Sequence, residues 1–435
     1  MIDRPADWIA DAAGAALQAE GEGSPERAVI DSREVRPGDL FVGLRGENVD
    51  GGEFTAEALG SGAWGVLVSP GWAGAARGGA VLAADDPLAA LQGLARAWRR
   101  ELGAKVVGIT GSTGKTSTKD ILAGLIGSRL RTHASRQNLN TEVGLPLSVL
   151  EAGRGTEALV LEMAMRGEGQ IAELSAIAEP DVGVIVNVGP VHLELLATVE
   201  RVAAAKAELI RDLPMGAACV VPASEPLMKA HLRDDLDTWT FGPGGQVMLL
   251  AFEDGHAEIE ARGERIELEL PFDEPHNLLN ALAAVAAARA LGVHPGGRVE
   301  VEFSSLRGEV VELPGGVTVV NDCYNANPMS MRAALEHLAG SPAERRIAVL
   351  GTMAELGAGE AGFHREAGEQ AAQLGIDVLV TVGEPALGYA DGFAGETYSV
   401  GTPEEAGALL EEVALPGDRV LVKGSRSVGL ERVLA

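Results

Sequence analysis

The sequence predicts an α/β protein of three domains: a small N-terminal α/β domain, a central parallel sheet with a small antiparallel β element, and a C-terminal Rossmann-like α/β domain. First, the chain has 435 residues, too many for one core of ordinary size. Second, short apolar segments alternate with segments that are apolar at helical spacing along much of the chain. Third, one segment, HAEIEARGERIELELPF, alternates with period two, as an antiparallel hairpin does.

The N-terminal domain is predicted over residues 1–86. Its strand candidates, DLFVGL, WGVLV and AVLAAD, are separated by glycine-rich turns. The segment that follows, DPLAALQGLARAWRREL, is apolar at helical spacing and opens with Asp86-Pro87, a pair that favours a helix start. The first domain boundary is therefore placed before this helix.

The central domain is predicted over residues 87–305. Here the apolar segments KVVGIT, ALVLEM, VGVIVNV and AACVVP alternate with helical patterns such as GQIAELSAIA and VERVAAAKAELIRDL. This order indicates a parallel sheet covered by helices on both faces. The period-two hairpin follows, and the helix HNLLNALAAVAAARALG closes the domain at a glycine.

The C-terminal domain is predicted over residues 306–435. The alternation resumes there with the strand candidates RIAVLG, DVLVTVG, ETYSVG and DRVLVKG, which have helical patterns between them. A second parallel α/β sheet is the expected result.

The composition limits the partners of the protein. Lys and Arg number 35 and Asp and Glu 63, so the net charge is −28. A surface this acidic repels phosphate backbones and anionic lipids, so neither nucleic-acid binding nor membrane insertion is expected. Two cysteines cannot form a disulfide framework, and no signal peptide or long apolar span is evident. These observations together favour a cytoplasmic location.

A glycine-rich turn, GITGSTGKTSTK, lies between the strand KVVGIT and a helical pattern. The strict phosphate-loop pattern requires a glycine where Ile109 stands, but Gly111 to Thr116 keep its physical elements. Glycines let backbone N–H groups approach phosphate oxygens, and the helix start adds positive potential. Lys115 would reach the outer phosphates and the Thr116 hydroxyl would bind Mg²⁺, so the turn predicts an ATP site.

Other candidates lie where strands end. Glu162 ends ALVLEM, and His192 follows VGVIVNV. Because ligands bind at the carboxyl ends of parallel strands, both could converge on the same metal ion. Lys206, by contrast, stands among alanines on the next helical segment, where a surface lysine is the ordinary interpretation.

Nine segments in this order resemble the motifs of the Mur ligases, ATP-dependent enzymes that extend the peptide of the bacterial cell-wall precursor. They are GSTGKTSTK, NLNTEVGLP, LEMAMRGEGQI, NVGPVHLE, AAAKAEL, HNLLNALAA, NDCYNANPMSM, GTMAELG and VKGSRS. The N-terminal segment DSREVRPGDLFVGLRGENVDGGEF is similar to the UDP-binding first domain of two family members. The resemblance covers nearly the whole chain and implies three α/β domains, with the C-terminal one closing over the active site.

The resemblance also implies roles for particular residues. The candidate ATP contacts are Gly111, Ser112, Thr113, Gly114, Lys115, Thr116, Ser117, Asn277 and Asn280 (adenine), Arg307 (phosphate) and Asp322 (ribose). The candidate magnesium ligands are Thr116, Glu162, His192 and Lys206, the last as a carbamate, which is an anion able to bind Mg²⁺. The candidate catalytic residues are Lys115, His192 and Lys206. The candidate substrate contacts are Ser32, Asn325, Lys423 and Arg426.

Within the family, NDCYNANPMSM, MAELG and KGSRS most resemble the member that adds D-alanyl-D-alanine to UDP-N-acetylmuramoyl-tripeptide. The member that adds a diamino acid carries Asp-Asn-Pro-Arg where this chain has Gly383 to Ala386, so the arginine for that substrate is missing. The resemblance therefore implies a monomer that joins the two substrates through an acyl phosphate. Two alternatives stay open: a sister ligase that adds a single amino acid, and a phosphate-loop ATPase or regulatory protein without ligase activity.

Overall fold

The computed structural model describes residues 2–136, 138–306 and 308–434. The strands are β1 Ala16–Ala19, β2 Ala28–Val29, β3 Leu40–Val42, β4 Gly65–Val68, β5 Ala80–Ala83, β6 Lys105–Thr110, β7 Thr132–Ala134, β8 Ala158–Glu162, β9 Val182–Ile185, β10 Ala218–Pro222, β11 Asp237–Phe241, β12 Val247–Glu253, β13 His256–Ala261, β14 Glu264–Glu269, β15 Gly297–Arg298, β16 Glu309–Leu313, β17 Val317–Asn321, β18 Arg345–Gly351, β19 Val378–Val382, β20 Glu396–Val400 and β21 Asp418–Lys423. The helices are α1 Ala6–Ala13, α2 Thr55–Gly60, α3 Pro70–Ala73, α4 Pro87–Leu102, α5 Lys115–Gly127, α6 Gly144–Glu151, α7 Gln170–Ala178, α8 Leu193–Leu196, α9 Val199–Asp212, α10 Pro275–Ala290, α11 Pro328–Gly340, α12 Glu360–Gln373, α13 Gly388–Gly392 and α14 Pro403–Val413.

The first sheet has the order β1-β5-β4-β3-β2. Strands β2 to β5 are parallel, and β1 pairs antiparallel with β5. The strands predicted in DLFVGL, WGVLV and AVLAAD are confirmed as β3, β4 and β5. Strand β1, whose four residues ALQA are mostly exposed, and helix α1 were not predicted.

The second sheet has the order β15-β14-β13-β12-β11-β10-β9-β6-β8-β7. Strand β6 lies inside it, parallel to β8 and β9, and all of the predicted central strands are present. The period-two segment forms the antiparallel pair β13 and β14, as expected. Helix α10 ends at Ala290, two residues before Gly292, whose φ of 81° lies in the left-handed region.

Helices cover the central sheet on both faces. Helices α5 and α10 pack on one face, and α4, α6, α7 and α9 pack on the other. Apolar contact on both faces explains why the parallel strands here read as continuous apolar runs. The parallel strands thus lead directly into the turns that carry the site.

Helix α4 joins the first two sheets into one body. It packs against α1 of the first domain and against α6 and α7 of the second. A single apolar cluster extends from Ile9 and Leu40 through Leu91 to Leu161 and Ile171. In its middle, the buried Trp98 donates its indole N–H to the Ala152 carbonyl at 2.8 Å. The N-terminal sheet is therefore fixed to the central one by shared apolar burial.

The third sheet has the order β16-β17-β21-β18-β19-β20, with β16 antiparallel to β17 and the remaining pairs parallel. The predicted strands RIAVLG, DVLVTVG, ETYSVG and DRVLVKG are confirmed as β18 to β21. Two apolar clusters flank this sheet, and their buried members all come from residues 317–433. The C-terminal domain therefore has its own core, separate from the core around α4.

The connector to the C-terminal domain is anchored on helix α5. The backbone N–H and the hydroxyl of Ser304 both donate to Asp120 Oδ2 at 3.1 Å. Beyond it, Leu306 and Gly308 have φ values of 62° and 75°. Arg307, a predicted phosphate contact, lies outside the described residues. Within those residues, no helix is both long and apolar enough to cross a lipid bilayer.

Candidate active site

The predicted phosphate loop lies between the end of β6 and the start of α5. Gly114 precedes the helix with a φ of 73°, a left-handed conformation that favours glycine. A Cβ atom at this position would lie 2.4 Å from Asn280 Oδ1 of helix α10, so any other residue would displace the Asn280 side chain. The loop therefore requires glycine at 114 for both backbone and packing reasons. Asn280, predicted from the resemblance as an adenine contact, lies against this loop.

Asn187, which follows the neighbouring strand β9, is hydrogen-bonded to the phosphate loop. Its Oδ1 accepts the Thr113 backbone N–H at 2.9 Å, and its Nδ2 donates to Thr113 Oγ1 at 2.8 Å. Its carbonyl also accepts the Ser112 N–H at 3.2 Å. Asn187 thus sets the conformation of the loop, a role that sequence analysis missed. The available signal was an amide directly after a buried strand.

Two predicted magnesium ligands are in direct contact. The Thr116 hydroxyl donates to Glu162 Oε2 at 2.7 Å, and both residues are buried. Asn140, in the NLNTEVGLP motif, donates Nδ2 to the other oxygen of Glu162 at 2.9 Å. The carboxylate is thus fixed at the end of β8, beside the start of α5. Hydroxyl and carboxylate oxygens are the donors that Mg²⁺ prefers.

Three basic side chains converge beside this pair. Burial lowers the pKa of Lys206 well below its usual range, and the charge of Lys115 lowers it further. Burial also lowers the pKa of His192, against the opposing effect of Glu355, and both lysines add to the lowering. Lys115 donates to the Gly111 carbonyl at 2.9 Å. The expectation of a surface lysine at 206 is wrong, because only 2% of this residue is exposed.

The Lys206 side chain forms no hydrogen bond or ion pair to another described residue, so its ammonium form would have no compensating anion. Among residues 2–136, 138–306 and 308–434, no three His, Cys, Asp or Glu side chains are grouped closely enough to hold a metal ion by themselves. The basic groups around Thr116 and Glu162 favour an anionic ligand such as a phosphate.

These residues line a cavity of about 1310 Å³ between the central and C-terminal domains. The predicted residues that line it are Gly111, Ser112, Thr113, Gly114, Lys115, Thr116, Ser117, Glu162, His192, Lys206, Asn277, Asn280, Asp322, Asn325, Lys423 and Arg426. Ser32 does not line this cavity. It begins a short 3₁₀ helix of the first domain, Ser32–Glu34, which is capped by Asp31. The structure thus brings together all the described site candidates except Ser32.

The C-terminal domain contributes an ion pair between a buried lysine and a half-buried aspartate. Lys423 is 1% exposed and donates to Asp322 Oδ2 at 2.6 Å and to the Asn325 carbonyl at 3.0 Å. Lys423 therefore holds the 322–325 loop in place instead of standing in solvent. Arg426, on the cavity rim, is exposed and pairs with Glu431 at 3.0 Å.

The sequence matches models of one protein family along most of its length. Three family models match: "Mur ligase family, catalytic domain" at residues 28–97, "Mur ligase middle domain" at 109–288, and "Mur ligase, glutamate ligase domain" at 306–426. The UDP-N-acetylmuramoyl-tripeptide–D-alanyl-D-alanine ligase of Bacillus subtilis (strain 168) is 35% identical over 420 residues, covering 93% of this chain and 91% of that protein. The chain belongs to the Mur ligase family.

Solved structures agree with this assignment. The MurF ligase from Thermotoga maritima, crystallised in complex with ADP, is 34% identical with a TM-score of 0.79, covering 94% of this Mur ligase and 96% of that chain. MurF from Acinetobacter baumannii is 27% identical with a TM-score of 0.87, covering 100% and 99%. The predicted three-domain α/β architecture is confirmed.

One residue of this Mur ligase that sequence analysis missed reaches the site from the C-terminal domain. Glu355, in GTMAELG, contacts His192 Nδ1 through Oε2 and lies 3.4 Å from Arg166 Nε through Oε1. The preceding residues are fixed inside their own domain. The Met353 N–H donates to the buried His364 Nε2 at 2.8 Å, and the Ala354 N–H to Ser425 Oγ at 2.9 Å.

His364 should make the C-terminal domain sensitive to acid. Burial lowers its pKa from the ordinary 6.5 to about 4, so the unfolded chain binds a proton at a higher pH than the folded one. Its stabilising effect is complete above pH 6.5 and is lost as pH falls toward 4. The loss is on the order of 3 kcal/mol, because one pKa unit corresponds to about 1.4 kcal/mol.

The measurement is the calorimetric Tm of the C-terminal domain between pH 7 and 4.5, for wild type and His364→Gln. The glutamine amide oxygen can accept the Met353 N–H but does not titrate in this range. The wild-type Tm should fall more steeply with acid than that of the variant. Parallel curves would show that His364 does not cause the acid sensitivity.

Proposed function

We propose that this Mur ligase forms the amide bond between the terminal carboxylate of UDP-N-acetylmuramoyl-tripeptide and the amine of D-alanyl-D-alanine, with ATP converted to ADP and phosphate. The observation that carries the proposal is the cavity in which the phosphate loop, three basic groups and a Thr116–Glu162 pair face the C-terminal domain. The names of its full-length relatives support the choice of substrates.

ATP would bind with its phosphates on the loop from Gly111 to Ser117. Backbone N–H groups at the start of α5 would face the phosphates, and Lys115 occupies the first position of that helix. Asn280 would support the loop from α10, while Asn277 and the apolar side chains of Phe241 and Leu279, which line the same cavity, would contact the adenine ring. Asp322 remains the proposed ribose contact.

The residues present fit a magnesium ion. The Thr116 hydroxyl, the Glu162 carboxylate and the His192 ring belong to one cavity, and the first two are hydrogen-bonded to each other. When bound, Mg²⁺ would neutralise negative charge on the nucleotide phosphates. Asn140 would keep the Glu162 carboxylate oriented for this task.

Lys206 is proposed to carry a carbamate. Burial lowers its pKa and so favours the neutral amine, the form that can attack CO₂; an N–C bond would form and a proton would leave. The product is an anion in a place where an ammonium group would face Lys115 and His192. The modification would convert repulsion among cations into attraction.

The proposed reaction has two steps. A carboxylate oxygen of the tripeptide attacks the γ-phosphorus, the bond to ADP breaks, and an acyl phosphate results. The amine of D-alanyl-D-alanine then attacks the acyl carbon, phosphate leaves, and the amine loses a proton. Lys115 would stabilise the charge on the phosphoryl oxygens, and the C-terminal domain would exclude water from the acyl phosphate.

The remaining proposals concern partners and surroundings. The N-terminal domain, residues 1–86, would bind the uridine-containing substrate, with Ser32 as one contact. The central domain, residues 87–305, would bind ATP. The C-terminal domain, residues 306–435, would close over both ligands. Asn325 and Arg426, exposed at the cavity rim, are proposed dipeptide contacts. A monomer acting in the cytoplasm is the proposed form of the protein.

The test is phosphate release from ATP with Mg²⁺ and UDP-N-acetylmuramoyl-tripeptide, with and without D-alanyl-D-alanine, followed by mass spectrometry. Release that needs both substrates and yields the pentapeptide supports the proposal. Release that needs a single amino acid instead would indicate a sister ligase. Hydrolysis that is indifferent to both would indicate an ATPase without ligase activity.

A further inference from the structure

Glu355 belongs to the C-terminal domain, yet its carboxylate contacts two side chains of the central domain, His192 and Arg166. We propose that Glu355 is a positioning residue that fixes the ring of His192 only when the C-terminal domain has closed. Closure of the domain would then complete the site. This inference rests on the proposed function and assigns Glu355 a role that it exerts through His192.

The contact is built on both sides. On the C-terminal side, Glu355 has a φ of 64°, a conformation that a non-glycine residue keeps only where its surroundings hold it. His364 and Ser425 hold the two backbone N–H groups before it. His364 is suited to this because burial lowers its pKa to about 4, so Nε2 stays an acceptor at neutral pH.

On the central side, His192 has a φ of 52° and stands directly before helix α8. The same short helix receives the backbone of the C-terminal loop: the Glu194 N–H donates to the Glu355 carbonyl at 3.3 Å. A Cβ atom on Gly357 would lie 3.2 Å from the Glu194 Cα, so the two backbones are closely packed there. The backbone hydrogen bond between Glu194 and Glu355 therefore places the Glu355 carboxylate next to His192.

The pairing decides which ring nitrogen of His192 carries the proton. With Nδ1 facing a carboxylate, the neutral ring is the Nδ1–H tautomer, and Nε2 keeps its lone pair. His192 also lines the cavity, so the free lone pair is the one that can act there. A carboxylate behind a histidine ring is a common means of fixing both tautomer and orientation.

The separate core of the C-terminal domain makes this contact dependent on domain position. The buried members of its apolar clusters come from residues 317–433, so the domain can move without disrupting the core around α4. Besides Glu355, Asn327 and Met329 approach the phosphate-loop region, at Ser112 and Gly189 respectively. Moving the domain away would remove the acidic partner of His192.

The first experiment compares wild type with Glu355→Gln and Glu355→Ala, and with Glu366→Ala as the control for an exposed glutamate on α12. We expect kcat of both Glu355 variants to fall by about 10- to 100-fold, with the KM for ATP changed less than twofold. The control should match wild type. Unchanged Tm values would show that the variants fold, and Glu355→Asp should recover part of kcat.

The second experiment needs no activity. Nitrogen-15 NMR of the labelled histidines, with His192→Gln to assign the signals, reports the tautomer of His192 directly. Wild type with ADP and Mg²⁺ should show the Nδ1–H form, and Glu355→Ala a mixture of both forms. An unchanged His192 spectrum in Glu355→Ala would overturn the proposal, as would a kcat within twofold of wild type.

The two experiments separate this proposal from the proposed function. If wild type makes no pentapeptide, the function is wrong, and the NMR comparison still decides whether Glu355 fixes the ring. In an active enzyme, a double variant Glu355→Ala/His192→Ala should be no slower than His192→Ala alone, because Glu355 acts through His192. Additive losses would contradict the proposal.

Discussion

Lys115→Ala is expected to lower kcat for pentapeptide formation by about 10³-fold or more while the fold stays intact. Lys115 is half-buried at the start of α5 and lines the cavity, and in the proposed mechanism its ammonium group stabilises the phosphoryl oxygens on which charge grows in the transition state. Removing a single preorganised donor to such charge commonly costs about 10²- to 10³-fold, and a full positive charge costs more. The measurement is steady-state phosphate release with both substrates.

The matched control is Lys229→Ala, which removes an exposed lysine of the same domain. It should keep wild-type kcat. ADP binding to Lys115→Ala, measured by calorimetry, should weaken much less than kcat falls, because the backbone N–H groups of the loop remain. Full activity in Lys115→Ala would remove the basis of the proposed mechanism.

Lys206→Ala is expected to lower kcat by about 10²-fold or more, and added acetate or formate should restore part of it. The substitution removes the proposed carbamate and leaves a small space beside Lys115 and His192, where a short carboxylate can supply the missing negative charge. The measurement is kcat as a function of added carboxylate at constant ionic strength.

Wild type and Lys229→Ala serve as controls, since neither should respond to acetate. Wild type should instead lose activity when CO₂ and bicarbonate are removed from the buffer, and ¹³C NMR with labelled bicarbonate should show a carbamate signal that Lys206→Ala lacks. An enzyme that is fully active without CO₂ and shows no such signal would exclude the modification.

Local patterns were sufficient to predict the apolar strands at the centre of each sheet and the strand-end candidates, but not short or edge strands such as β1 and β15. Glu162 and His192 could be found because parallel strands end at one edge, whatever the distance along the chain. The phosphate loop could be found because its glycines and lysine are contiguous. The antiparallel pair β13 and β14 was evident from its period of two, since one face is buried and the other exposed.

Features that depend on contacts between distant segments could not be predicted. Glu355 is 163 residues from His192, and no local pattern marks their contact. Lys206 stands in an alanine-rich helix that would suit a surface as well, and only the packing of α9 shows that it is buried. Strand β1 pairs with β5, more than sixty residues later in the sequence, and its own four residues are mostly exposed.

The first two domains share one apolar core, whereas the C-terminal domain has its own, and this difference determines where the chain can be divided. A break at residue 86 would separate the two halves of one apolar cluster, because α4 packs against both neighbouring sheets. A break beyond Ser304 would separate two bodies that each retain a buried core. The larger fragment would keep the phosphate loop, Glu162 and Lys206, and lose Asp322 and Glu355. Proteolysis at the connector would thus release a fragment that keeps the phosphate loop but lacks every residue that the C-terminal domain adds to the cavity.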